Sequence, residues 1–220
     1  MNRALQPGIR AAAAALFLFA AQMSPAAAQS DAAVARPEVK AGDRWVYRRT
    51  DHEHNRVGRA QYTVVFANDK VIQMVVDRPR KGNDVDETYT AEWNAIATVD
   101  GSNMSPHMGG LKFPLVVGAS WPVAYENTVP RKGGFRVKHE RKAKVIGWEE
   151  VRVPAGRFRA LKIEIDGSFQ RLDRAMAGSA HTVIWYAPRV KRWVKWTYSD
   201  KGFKGPISSW SQELVEYEVH

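Results

Sequence analysis

The chain has 220 residues, 33 lysines and arginines against 23 aspartates and glutamates, 45% apolar residues and no cysteine. That length fits one domain or two small ones, and the missing cysteine excludes a disulfide scaffold, a Cys-ligated zinc site, an iron–sulfur cluster and a cysteine nucleophile. Eight tryptophans within a 10% aromatic content supply more apolar mass than a disordered chain carries.

Residues 1–28 read as a secretory signal. Arg3 and Arg10 make the start positive, Ala11 to Ala21 is apolar around Leu16, Phe17, Leu18 and Phe19, and Ala26-Ala27-Ala28 supplies the small residues of a cut before Gln29. The apolar run is shorter than the ~20 residues a spanning helix needs. Removing 28 residues from 220 leaves 192, and the loss of two arginines lowers the formal charge from +10 to +8. The expectation is a bacterial periplasmic or secreted protein, not membrane-spanning, that folds by core burial without help from disulfides.

Gln29 to Ala41 has no period and is expected to be a short flexible lead-in to a β-rich domain over residues 42–220. From Gly42 onward the pattern repeats every second residue, and no helical stripe appears. Trp45-Val46-Tyr47-Arg48 opens a strand, and Asp51-His52-Glu53-His54-Asn55 reads as a hairpin tip. Strands are expected over Gln61–Phe66, Val71–Val76 and Glu87–Trp93. The turn Ala67-Asn68-Asp69-Lys70 separates the first two. Residues 100–110 form the longest stretch without a period, a length that makes the loop a functional candidate. In Phe135–Ile146, Phe135, Val137, Ala143 and Val145 share one parity, with Arg136, Lys138, Glu140, Lys142 and Lys144 on the other. That is a half-buried strand with a charged outer face. His139 falls on the apolar parity, as a core or cavity histidine would. Val153-Pro154-Ala155-Gly156 is a turn, after which Leu161, Ile163 and Ile165 alternate with Lys162, Glu164 and Asp166. Thr182–Tyr186, Arg192–Tyr198 and Ser209–Val219 complete the set. Roughly nine or ten strands joined by short turns point to a mainly-β fold: a single curved antiparallel sheet, half-barrel or barrel-like.

Five segments resemble a family of exported bacterial proteins classed as a domain of unknown function, with a VPAG-x-F … WY-x-P … ELV signature. They are Phe113-Pro114-Leu115, Gly118-Ala119-Ser120-Trp121, Val153-Pro154-Ala155-Gly156-Arg157-Phe158, Trp185-Tyr186-Ala187-Pro188 and Glu213-Leu214-Val215. The likeness spans about residues 110–217, with weaker support from Gly42–Tyr47. It implies an envelope-located β protein, some such proteins being similar to the half-barrels that carry lipoproteins or lipids across the periplasm. It brings no catalytic residues and no cofactor.

His52 and His54 point to one face of an extended strand and could share a metal. No His-Glu-x-x-His or Gly-x-Ser-x-Gly pattern occurs. Basic residues recur at Arg78/Arg80/Lys81, Arg131/Lys132, Arg136/Lys138/Lys142/Lys144 and Arg189/Lys191/Arg192/Lys195. Export removes nucleic acid as their partner and leaves lipid head groups and other anionic envelope components. The tryptophans exceed the needs of a compact core, so Trp121, Trp185, Trp193, Trp196 and Tyr198 are candidates for an apolar groove. Trp193 and Trp196 have opposite parity, so only one of them faces inward on a regular strand. The leading expectation is a non-enzymatic periplasmic binding protein for a lipid-like or hydrophobic ligand. The alternatives are a secreted, metal-assisted hydrolase acting on envelope material and a structural partner that pairs through an edge strand.

Overall fold

A computed structural model describes residues 33–77, 85–130 and 133–220. The expected signal peptide with its cut after Ala28, and the basic clusters at 78–81 and 131–132, lie outside the described residues. The strands are β1 (Arg44–Asp51), β2 (Arg56–Ala67), β3 (Val71–Asp77), β4 (Val85–Thr90), β5 (Ala95–Ala97), β6 (Asn103–Ser105), β7 (Ser120–Val129), β8 (Phe135–Val153), β9 (Gly156–Arg171), β10 (Met176–Ala187), β11 (Arg192–Gly202) and β12 (Gly205–Glu218). A 3-10 turn, Pro188–Val190, joins β10 to β11. Each strand pairs with the next, and β12 returns to pair antiparallel with β1 from Arg44↔Glu218 to Asp51↔Trp210. The curved meander read from the sequence therefore closes into a full barrel of twelve strands, which leaves the described sheet without an open edge. The sequence reading assigns no strand to β5, β6 or β7: β5 and β6 have three residues each, too few for an alternation to register, and Pro122 interrupts the run of β7.

Antiparallel partners point to the same face, so the register stacks the interior in layers. Trp148, Leu161, Tyr186 and Trp193 form one; Val145, Ile163, Ile184, Trp196 and Gln212 form the next. Then come Ala143, Ile165, Thr182, Tyr198 and Trp210, followed by Arg141, Gly167, Ala180, Asp200 and Ser208. The first two layers are bulky and almost wholly apolar; the last is small and polar. The layer that holds both Trp193 and Trp196 inside corrects the parity argument. Trp185 pairs with Lys195 while Tyr186 pairs with Trp193, so Val194 is the extra residue of a bulge. A bulge resets the face of everything beyond it, and both indoles turn inward, edge to face with centroids 4.8 Å apart.

At the end of the barrel under the 3-10 turn the core is filled with rings. The Trp45 and Trp93 indole N–H groups donate to the carbonyls of Val190 and Lys191, each at 2.8 Å, and the Tyr47 hydroxyl donates to the Trp193 carbonyl at 2.7 Å. Arg192 sits among them, 1% exposed. Its guanidinium lies 4.2 Å from the Trp193 ring centroid, 4.7 Å from Trp93 and 5.0 Å from Tyr62, close enough for ring faces to replace part of its hydration. Its Nη2 donates to the Tyr89 hydroxyl at 3.2 Å, and that hydroxyl donates to buried Glu87. The tyrosine thus relays between a buried cation and a buried anion. Burial first, and then the Glu87 charge, hold Tyr89 well above the usual phenol range.

The ends of the described chain are tied to the same end of the barrel. Val34 exchanges two backbone hydrogen bonds with Leu115, both 2.8 Å. Asp43, fully buried, accepts from the Lys40 N–H at 3.0 Å, the His220 N–H at 2.8 Å and the Lys191 ammonium at 3.2 Å. Removing an acceptor that satisfies three donors is expensive. Asp43→Asn is therefore expected to lower unfolding free energy by about 2–3 kcal/mol, read as a lower urea midpoint at unchanged slope; an unchanged midpoint contradicts this role.

Candidate functional site

The bulky layers end at Trp196. Beyond it, Thr182, Gly167, Ala180 and Ser208 leave the barrel axis uncovered. Gly167 is small of necessity: a Cβ there would lie 2.4 Å from the Glu140 carbonyl oxygen and 2.5 Å from the Arg141 Cα, approaches no side chain makes. Gly167, Ala180 and Ser208 border an open hollow with Asp200 and His181, and Thr182 borders a cavity of about 250 Å³. Met104, Met108, Val123, Ile165, Trp196 and Trp210 form its apolar wall, and Arg141, Asn127, Thr182, Tyr125 and Tyr198 its polar one. Exposed Asp100 stands at the rim.

Arg141 is 9% exposed. Its Nη2 donates to the Thr182 hydroxyl at 2.8 Å and to the carbonyls of Ile165 and Ala180, the latter at 3.5 Å. Its Nε has no hydrogen-bond partner among the described residues, and neither does the Trp196 indole Nε1 or the Asn127 Oδ1. The Asp200 Oδ1 is unmet as well; such groups are rare in protein interiors. Tyr198 donates to Asp200 at 2.9 Å. Burial raises the Asp200 carboxyl above its ordinary value, and burial and then the Asp200 charge raise Tyr198.

Of the five groove residues expected from the sequence, Trp196 and Tyr198 line this cavity. Trp193 lies in the filled end of the core, and buried Trp121 donates its indole N–H to the Gly109 carbonyl at 2.9 Å. Trp185 faces outward, donating to Glu149 at 2.7 Å with the Lys195 ammonium 5.5 Å from its ring. His52 meets the Ser211 hydroxyl at 3.0 Å and His54 meets the Asp51 carboxylate at 3.0 Å. Among the described residues no group of three or more His, Asp and Glu gathers as a metal site would. The basic residues mostly face acids: Arg136 pairs with Glu126 at 3.2 Å, Lys138 with Glu140 at 2.8 Å, Lys195 with Glu213 at 3.5 Å and Lys191 with Asp43 at 3.2 Å. Lys142 and Lys144 stand opposite Asp166 and Glu164 across β8 and β9. Arg141 escaped the sequence reading although a signal was present: it shares the inward parity of Val137, Ala143 and Val145, and a charge on an apolar parity is the anomaly to look for.

No protein-family model matches the chain, and no curated protein matches it. Among solved structures, it is similar to a candidate lipoprotein from Parabacteroides distasonis, with 11% identity, a TM-score of 0.50, and coverage of 85% of this chain and all of that one. It is also similar to a candidate exported protein with a YmcC-like fold from Bacteroides fragilis, with 15% identity, a TM-score of 0.47 and the same coverage. At 11% identity the first likeness is one of fold.

His139 borders the site. It stacks on Tyr125 with centroids 4.5 Å apart, and burial, followed by the Arg141 charge, pushes its pKa from 6.5 down to about 4. The folded protein therefore holds it neutral, while the unfolded chain protonates it once pH drops below 6.5. Its contribution is complete above 6.5, declines as pH falls toward about 4 and is constant below that. Wild type is expected to lose up to about 3 kcal/mol more than His139→Leu between pH 7 and pH 4, measured by urea unfolding at both values. Parallel losses contradict the assignment.

Proposed function

We propose that the protein is a non-enzymatic binding protein of the bacterial envelope that holds a hydrophobic or lipid-like ligand inside the barrel. The observation that carries this reading is the cavity, which joins an apolar wall to a polar one formed by Arg141, Asn127, Thr182, Tyr125 and Tyr198, the usual composition of a small-molecule site. The secretory reading of residues 1–28 supports export. The outer basic faces are a weaker basis for anion binding, since exposed pairs such as Lys138–Glu140 already spend their charge locally.

Volume limits the guest. At about 250 Å³ the cavity falls just below the ~300 Å³ at which drug-sized sites begin. It has room for roughly eight groups of water or methylene size at about 30 Å³ each. A single short chain fits; a two-chain lipid does not fit within it.

The test is thermal unfolding with 1-octanol as the probe, alongside native mass spectrometry of the protein purified without denaturant. One-site binding at about 100 times Kd stabilises by roughly 2.7 kcal/mol, a rise of several degrees in Tm. Saturable stabilisation, or a small co-purified amphiphile, is the expected outcome. A melting curve unmoved by octanol together with a bare protein mass contradicts the proposal.

A further inference from the structure

The geometry points to a docking site on the outside of the barrel. The hairpin turn at residues 203–204 and the neighbouring turn at 172–175 seat the protein on an anionic lipid bilayer, with the Phe203 ring in the head-group layer and Lys201, Lys204 and Arg174 beside the lipid phosphates. This inference goes beyond the ligand-holding reading and does not depend on it.

Gly202 and Gly205 pair at the end of β11 and β12, so Phe203 and Lys204 are the two central residues of a tight hairpin turn. Such turns favour Asn-Gly or Asp-Gly; their geometry gives no reason for an aromatic ring. The ring has no pocket to fill, since Phe203 is wholly exposed. The pairing of β10 with β11 runs out to Gly178↔Gly202, which sets this turn beside the one at 172–175, where Leu172 is exposed as well. Exposed Ile207 of β12 lies against the same hairpin: a Cβ on Gly202 would meet its Cδ1 at 3.1 Å. Three exposed apolar side chains thus fall on two adjoining hairpins, where a soluble surface carries such residues singly. On the β1 side, the His52 N–H donates to the Ser209 carbonyl at 2.8 Å. Beyond that bond β12 runs on through residues 205–208, about 13 Å at 3.3 Å per residue, so the hairpin projects past the end of β1.

Charge selects the partner. Residues 171–176 and 201–207 carry Arg171, Arg174, Lys201 and Lys204 against Asp173, four cations to one anion. Asp173 is taken by Arg171 at 2.6 Å. Lys201, Lys204 and Arg174 have no ion-pair partner among the described residues. Lys201 borders an open hollow that also holds Glu53 and Asp200, whereas Lys204 and Arg174 stand in the turns themselves. An apolar tip flanked by lysine and arginine is the chemistry of interfacial binding: the ring sinks to the head-group level while the cations stay with the phosphates. A protein partner would need about 800 Å² on each side, a breadth that two narrow turns lack. In this meander every second turn shares one end of the barrel, so the anchor stands at the same end as the β5–β6 turn with Asp100. A docked barrel therefore turns the Asp100 rim of its cavity toward the bilayer.

Co-sedimentation with vesicles tests the anchor, using phosphatidylcholine alone and phosphatidylcholine mixed with one-third phosphatidylglycerol. The protein is expected to bind the mixed vesicles at least tenfold more tightly than the neutral ones, since each cation near an anionic surface supplies about fivefold. High salt should weaken that binding. Phe203→Ser should weaken it about tenfold through the lost apolar burial. Lys204→Gln should cost about fivefold, and Lys204→Arg should cost little. Both positions lie in an exposed turn, so these variants should keep the wild-type melting temperature and the wild-type response to 1-octanol; the anchor and the cavity thus stand or fall separately. No binding to the mixed vesicles, equal binding to both kinds, or binding that survives Phe203→Ser overturns the proposal.

Discussion

A meander of strands leaves two raw edges, and this molecule depends on their meeting. β1 and β12 lie at opposite ends of the described chain yet pair over eight residue positions. The pairing seals Trp45 and Tyr47 of β1 against Leu214 and Gln212 of β12, and all four are buried. With the edges apart, two of the largest core side chains would face water, each forfeiting roughly 2–3 kcal/mol of burial. Asp43 reinforces the seam where it begins, binding Lys40, Lys191 and the backbone of His220 with a single carboxylate. Closure also fixes which face of every strand lies inside, so the interior layers follow from the register.

Those layers divide the barrel into a solid half and a hollow half. Near the Pro188–Val190 turn, indole and phenol rings fill the axis and their polar tips are met by backbone carbonyls. Four residues further along the strands, glycine, alanine, serine and threonine take the places that tryptophan and isoleucine hold in the solid half. Interiors pack to crystal density by default, so a cavity among Met104, Met108, Trp196 and Trp210 beside an arginine contrasts with its surroundings. The same guanidinium chemistry serves both halves. Arg192 is capped by ring faces and contributes to the core; Arg141, on the cavity wall, donates to the Thr182 hydroxyl and to the Ile165 and Ala180 carbonyls.

Much of the fold was legible in the sequence because alternation over β8 and β9 is nearly unbroken, and the turn Val153–Gly156 falls where proline and glycine require it. Full closure was not legible, since pairing between the first and last strands leaves no local trace. Nor were β5 and β6, too short to alternate, or β7, whose run carries Pro122. The bulge at Val194 defeats period-two reasoning by design: it places Trp193 and Trp196 on one face against their parity. Trp196 and Tyr198 were visible as aromatic candidates, but nothing in the spacing separates them from Trp121 or Trp185, whose indoles are spent on Gly109 and Glu149. Arg141 was missed because a charge count treats every basic residue as surface, and only strand parity shows that it points inward.

The central claim is that the cavity inside the barrel holds a small hydrophobic guest. A crystal structure of the protein grown with 6-bromo-1-hexanol tests it most directly. The account predicts anomalous bromine density inside the cavity, beside Met104, Met108, Trp196 or Trp210. A cavity holding ordered water alone, with bromine density confined to the outer surface, would contradict it.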